Sequence, residues 1–267
     1  MKKFTRFIAF VLIFASLLTL GAFAAPGRGL NAFEKIADMG RYTYSDLVSN
    51  HWAYSGIKIC YDRGIMIGYP DGTFGPEETV TWSHAVTIAA RVHSAYNGSA
   101  LDASQSGDYW YSAYYSYCSK NGLLPNTCPK LSKLDEAGIT RYDLAYIFSR
   151  LLDDEDTAAI SDLKIADEAS IKPYYLSSVK KLYAAGIMNG MENNEFKGSE
   201  YTTRAQIATV TARLVVPAVR VGHDSKANLS MADYQANLEN DSIAVQLGNN
   251  YYALYKSYTD PQTQVYS

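Results

Sequence analysis

Apolar and polar positions along residues 44–216 fall into one pattern written three times, and the copies superpose on Gly64, Gly122 and Gly186. Twelve positions before each glycine stands a large aromatic residue, Trp52, Trp110 or Tyr174, and four before it Cys60, Cys118 or Leu182. Ile65, Leu123 or Ile187 follows directly. Seventeen or eighteen positions after the glycine comes a threonine: Thr81, Thr140 or Thr203. Beyond it, offsets of four, seven and eleven are apolar: Ala85, Ile88 and Val92; Leu144, Ile147 and Leu151; Ile207, Val210 and Leu214. Those offsets trace one face of an α-helix. Agreement in so many columns marks an internal repeat.

Each copy therefore predicts helix, loop, helix. The first helix, Tyr54–Asp62 in the first copy, ends at the aligned glycine, where a left-handed cap costs little. The loop Gly68-Tyr69-Pro70-Asp71-Gly72 is dense in turn residues. The second helix begins at the threonine. One unit cannot bury both helices, so three should pack into one body. Thr203-Arg204-Ala205-Gln206 has the form of a capping box. Thr140-Arg141-Tyr142-Asp143 keeps that geometry with a shorter acid, and Thr81-Trp82-Ser83-His84 keeps the cap without its partner. Capping leaves the arginines unexplained, because a cation in the first turn opposes the helix macrodipole. Two readings stay open. Arg141 and Arg204 either hold an anion beside exposed helix N–H groups, or pair with carboxylates such as Asp143 and Glu200.

The chain ends change the picture. Lys2, Lys3 and Arg6, an apolar run from Phe7 to Leu20 and Ala22-Phe23-Ala24 predict a signal peptide over 1–24. Its removal takes the net charge from −3 to −6. An acidic chain argues against nucleic acid or anionic lipid as partner. No later stretch is apolar for long enough to span a membrane. Residues 25–43 read as a linker with a short helix over Leu30–Met39, with Leu30, Phe33, Ile36 and Ala37 on one face. In the tail, 217–267, Ser242–Leu247 and Tyr251–Tyr258 flank Gly248-Asn249-Asn250 and suggest a β-hairpin over 242–258, which offers an edge to a protein partner.

Candidate chemistry is sparse. Cys118 and Cys128 either close a short disulfide or remain thiols, Cys60 and Cys118 sharing a core-facing column. His84 and His93, nine apart on a predicted helix, face opposite ways and cannot share a metal. No nucleophile, phosphate-loop or dinucleotide signature is present. Asp153–Asp156 reads as a solvated linker. No metal, no cofactor and no catalytic activity are expected. Tyr, at 23 copies, suits both packing and sugar-facing grooves.

His51-Trp52-Ala53, Gly64-Ile65, the loop Gly68–Phe74 and Thr203-Arg204-Ala205-Gln206 resemble the S-layer homology family over about Tyr44–Val216, with copies at 44–98, 99–155 and 156–216. The resemblance implies an all-α, three-pronged pseudo-trimer around a helical bundle. Its grooves would hold a secondary cell wall polymer attached to peptidoglycan, often through a pyruvylated sugar, and so tether the chain to a bacterial cell wall or S-layer. Carried over by motif, the glycan-binding residues are the arginines Arg141 and Arg204, the aspartates Asp46 and Asp167, the stacking aromatics Trp52 and Trp110, and the loop glycines Gly68 and Gly190.

The departures from that pattern matter as much. The first copy has Trp82 in the arginine column and His84 in the acid column. The second, with Leu123–Cys128, has lost the glycine-rich loop. The third, with Met191–Phe196, keeps its length but not its Pro and Gly. One or two working grooves are therefore expected, with Arg204 the better candidate. The alternative is a degenerate scaffold acting as a protein–protein adaptor at the cell surface.

Overall fold

The computed structural model describes residues 29–40, 43–103, 107–161, 164–222, 244–247 and 250–253. The predicted signal peptide and much of the predicted hairpin lie outside them. Six α-helices are described: α1 (Tyr54–Asp62), α2 (Trp82–Asn97), α3 (Ser112–Lys120), α4 (Arg141–Phe148), α5 (Pro173–Ala184) and α6 (Arg204–Val215). Ala244–Leu247 (β1) and Asn250–Ala253 (β2) run antiparallel.

Local sequence fixes both ends of these helices. The three aligned glycines have φ of 66°, 67° and 65°. Each closes a Schellman motif: Gly64 N donates to Tyr61 O and Ile65 N to Cys60 O, with the same two bonds at Gly122/Leu123 and Gly186/Ile187. Hence the apolar columns on either side of each glycine are buried. At the N-termini, Thr203 and Gln206 make the predicted reciprocal capping box, and Thr140 accepts from Asp143 N. Thr81 departs from expectation. It makes no cap bond, because its hydroxyl engages Ser83 Oγ at 2.8 Å and His84 Nδ1 at 3.0 Å instead.

The helices pair across copies. α1 packs on α6, α3 on α2 and α5 on α4, so each first helix lies on the second helix of the preceding copy and the cycle closes from last to first. At its centre the residues before the three threonines form a ring. Val80 N donates to Thr202 O, Thr202 N to Ile139 O, and Ile139 N to Val80 O, at 2.8–3.0 Å. All three residues are essentially inaccessible to solvent.

Two expectations are corrected. The predicted Leu30–Met39 helix is a single 3₁₀ turn, Gly29–Ala32. Beyond it Ile36 N and Ala37 N both donate to Asp62 O, and Met39 N donates to the Asp62 carboxylate, so these donors serve the end of α1 rather than a helix of their own. Phe33 is buried while Ile36 is exposed. The acidic run is not merely solvated, since Asp156 accepts from Tyr96 Oη at 2.6 Å. All three cysteines are free thiols, so Cys118 and Cys128 form no bridge. Cys118 donates to Val86 O in the core.

Thr202 carries a buried hydroxyl without a hydrogen-bond partner, at the ring position filled by Val80 and Ile139 in the other copies. A desolvated hydroxyl costs about 1–3 kcal/mol. Thr202→Val is therefore expected to raise the unfolding free energy by about 1 kcal/mol, read from a denaturant midpoint shifted upward at constant slope.

Candidate ligand groove

The loops between paired helices build the site. In the first copy Gly68 N donates to Tyr44 Oη, and a Cβ on Gly68 would lie 2.1 Å from the Tyr44 ring and 2.4 Å from Thr73 O. A Cβ on Gly190 would meet Asn194 backbone at 2.4 Å. Both glycines are there because a second segment passes too close for a side chain. The aspartates grip the same loops. Asp46 accepts from Phe74 N and Gly75 N, both at 2.7 Å, and Asp167 accepts from Phe196 N and Lys197 N at 2.6 and 2.9 Å.

The motif arginines hold the other side of the same peptides. Arg204 Nε donates to Phe74 O at 2.8 Å and Nη2 to Ile67 O at 3.3 Å, with the guanidinium over the rings of Tyr69 and Phe74. Arg141 Nε donates to Phe196 O at 2.7 Å and Nη2 to Asn189 O at 3.4 Å. Both are nearly buried, and that burial holds each guanidinium's pKa below its usual value. Phe74 and Phe196 are thus each clamped through N–H by an aspartate of their own copy and through C=O by an arginine of the copy before it in the cycle.

This arrangement departs from both readings of the arginines. Their chief acceptors are backbone carbonyls, not carboxylates. The first helix N–H groups are also occupied: Arg204 N and Ala205 N donate to Glu78 O and Pro76 O, and Arg141 N and Tyr142 N to Glu200 O and Gly198 O. An anion has no helix terminus to meet there.

What opens beside the first loop is a small cleft lined by Gly68, Tyr69, His84, Arg91, Trp110 and Arg204. Trp110 comes from the second copy, with its indole N–H on Asp135 at 3.2 Å and its ring 5.7 Å from that of His84. Burial, and then the Arg204 guanidinium, push the His84 pKa down to about 4, against a smaller opposing pull from Asp135. Arg91 reaches Ile65 O and Tyr114 Oη at 3.4 and 3.5 Å. Trp52 does not line this cleft; it is half exposed and lies against His51.

His84 and Arg91 were missed in the sequence. A signal for Arg91 existed, since an arginine stands ten positions after every aligned threonine: Arg91, Arg150 and Arg213.

The second copy's counterpart is filled. Trp82, in the arginine column, is buried. The Asp143 carboxylate accepts from Thr127 Oγ1, from Thr140 Oγ1 at 2.6 Å and from Tyr175 Oη at 2.8 Å, and Asn126 N donates to Tyr174 Oη.

The S-layer homology domain profile matches residues 43–81 and 164–208, so the chain carries S-layer homology sequence in those two segments. It is 39% identical over 59 residues to cell surface glycoprotein 1 of Acetivibrio thermocellus, 22% of this chain and 3% of that protein. It is 23% identical over 215 residues to the surface-layer 125 kDa protein of Lysinibacillus sphaericus, 76% of this chain and 18% of the relative. It is also 23% identical over 224 residues to an endoglucanase of a Bacillus species, 80% of this chain and 22% of that enzyme. The chain thus spans a small part of the curated relatives it matches. Two of these three relatives are named as surface proteins, and the similarity supports a cell-wall or S-layer surface location for the chain.

Two outcomes follow from the clamp. Arg204→Lys loses the forked donor set, which an ammonium cannot reproduce. It is expected to cost about 1.5–3 kcal/mol of stability in denaturant unfolding. In the third loop Asn194 and Lys197 take the left-handed backbone (φ 61° and 52°) that Gly72 and Gly75 take in the first. Lys197→Gly removes that strain and should stabilise the protein by about 0.5–1 kcal/mol in the same assay.

Proposed function

We propose that the chain anchors at the cell surface by binding a secondary cell wall polymer non-covalently, and that the cleft beside the first loop is its principal groove. The observation that carries this is the convergence of Trp110, Arg91, His84 and the Arg204-clamped loop, drawn from all three copies, on one opening. An aromatic face with cationic donors at its rim suits a sugar ring bearing a carboxylate, such as a pyruvylated glycan. Arg204 and Asp46 serve that groove by holding Phe74 and the loop in place, and Trp110 supplies the stacking surface.

Copies 44–98, 99–155 and 156–216 act as one body, a three-pronged pseudo-trimer, a reading supported by the closed cycle of helix pairs. By the same cyclic relation Trp52 is the aromatic for the loop that Arg141 clamps, giving a second and weaker groove. The third opening, occupied by Asp143 and its hydroxyl partners, takes no ligand. The chain is not an enzyme on this reading, and its tail, where a hairpin is expected over 242–258, is left for a protein partner.

The test is co-sedimentation of the mature protein with purified wall sacculi, with and without chemical removal of the secondary polymer. Retention should need the polymer and fall at least tenfold in Trp110→Ala, with a smaller loss in Trp52→Ala, both variants keeping the wild-type thermal transition. Folded wild type that stays in the supernatant sinks the anchor and leaves the adaptor reading.

A further inference from the structure

His84 stands where the acid column of the other copies has a residue already consumed. Gln206 Oε1 accepts from Thr203 N, and Asp143 accepts from three hydroxyls. His84 meets the Thr81 hydroxyl through Nδ1, and its ring lines the cleft with Trp110 against it. We propose that this groove binds its anionic ligand together with a proton, taken up by the His84 imidazole. The inference rests on the polymer-binding reading and adds to it a proton as co-ligand.

The charged and titratable groups facing His84 set the sign. Arg204 comes from α6, Arg91 from one face of α2 seven residues on, Tyr69 from the first loop, and Asp135 from the segment before α4. In the open groove burial, and then the Arg204 guanidinium, oppose a charge on His84, and the imidazole is neutral well below neutral pH. A carboxylate seated in the cleft beside Arg204 offsets the guanidinium's share of that opposition and adds an attraction of its own, which shifts the balance toward the protonated imidazole.

The hydrogen bonding tolerates either state. With Nδ1 bare, the Thr81 hydroxyl donates to it. With Nδ1 protonated, that N–H donates to Thr81 Oγ1, whose own proton turns to Ser83 Oγ, 2.8 Å away. Nε2 keeps its hydrogen in both forms. One proton enters from solvent, and no bond of the ligand is made or broken.

Linkage fixes the expected direction. A proton taken up on binding makes affinity rise as pH falls, by up to about tenfold per unit between the free and bound imidazole pKa values. Wild type, His84→Gln and His84→Asn would be titrated onto polymer-bearing sacculi from about pH 4, the free His84 midpoint, to about pH 7.5, with stripped sacculi as background. Wild type should tighten several-fold per unit toward acid. Both variants should lose that slope, which separates His84 from titration of the wall itself.

A second readout needs no variant. The His84 ring proton resonances of wild type should titrate with a midpoint at least one unit higher when released polymer is added. A flat wild-type profile, the same slope in the variants, or an unmoved midpoint despite retention overturns the proton coupling and leaves the anchor standing. Absence of retention at every pH removes both.

Discussion

Everything in this molecule depends on three backbone hydrogen bonds that close on one another. Val80, Thr202 and Ile139 each donate to the next, so residues separated by well over a hundred positions occupy one dry point. A buried N–H or C=O left unpaired there costs on the order of a few kcal/mol. The ring is satisfied only when all three copies are present. Each threonine just beyond it is the N-cap residue of one of the second helices, so the ring sets where all three begin. The cyclic exchange of helices and the crossing of Arg141 and Arg204 into another copy's loop accompany that common starting point.

The motif aspartates and arginines hold the loop through its backbone, and Arg204 lines the opening as well. Asp46 and Arg204 grasp opposite ends of Phe74, as Asp167 and Arg141 grasp Phe196. A buried guanidinium facing carbonyl dipoles is well matched, since its planar fork reaches two acceptors that a point charge could not. Loop shape is thereby coupled to the packing of another copy's helix. The groove then has little freedom to collapse when empty, which lowers the ordering cost of binding.

Much of this was legible in the chain. The helix ends were readable because a Schellman motif is local: glycine, its following aliphatic residue and a buried partner five positions back declare it. Residues facing the core were readable from the same columns. Helix pairing was not, because three similar apolar faces fit within a copy as well as between copies, and only the ring decides. The partners of Arg141 and Arg204 were invisible for a different reason, since backbone carbonyls carry no residue identity. Asp46 and Asp167 could have been assigned to the loops, because the 28- and 29-residue separations to Phe74 and Phe196 nearly repeat. Thr81 misled because its hydroxyl had better side-chain partners than the helix it precedes.

The filled opening of the second copy shows how such an array drifts. That copy has lost its loop, yet its Trp110 still faces the cleft built on the first copy's loop and the third copy's arginine. Decay in a tandem array of independent domains would erase a whole copy together. Here the parts of one copy are owed to different openings, so ancestry runs along the chain while selection runs around the ring. A survey of related chains would therefore find substitutions that covary across copies, following each opening rather than each repeat.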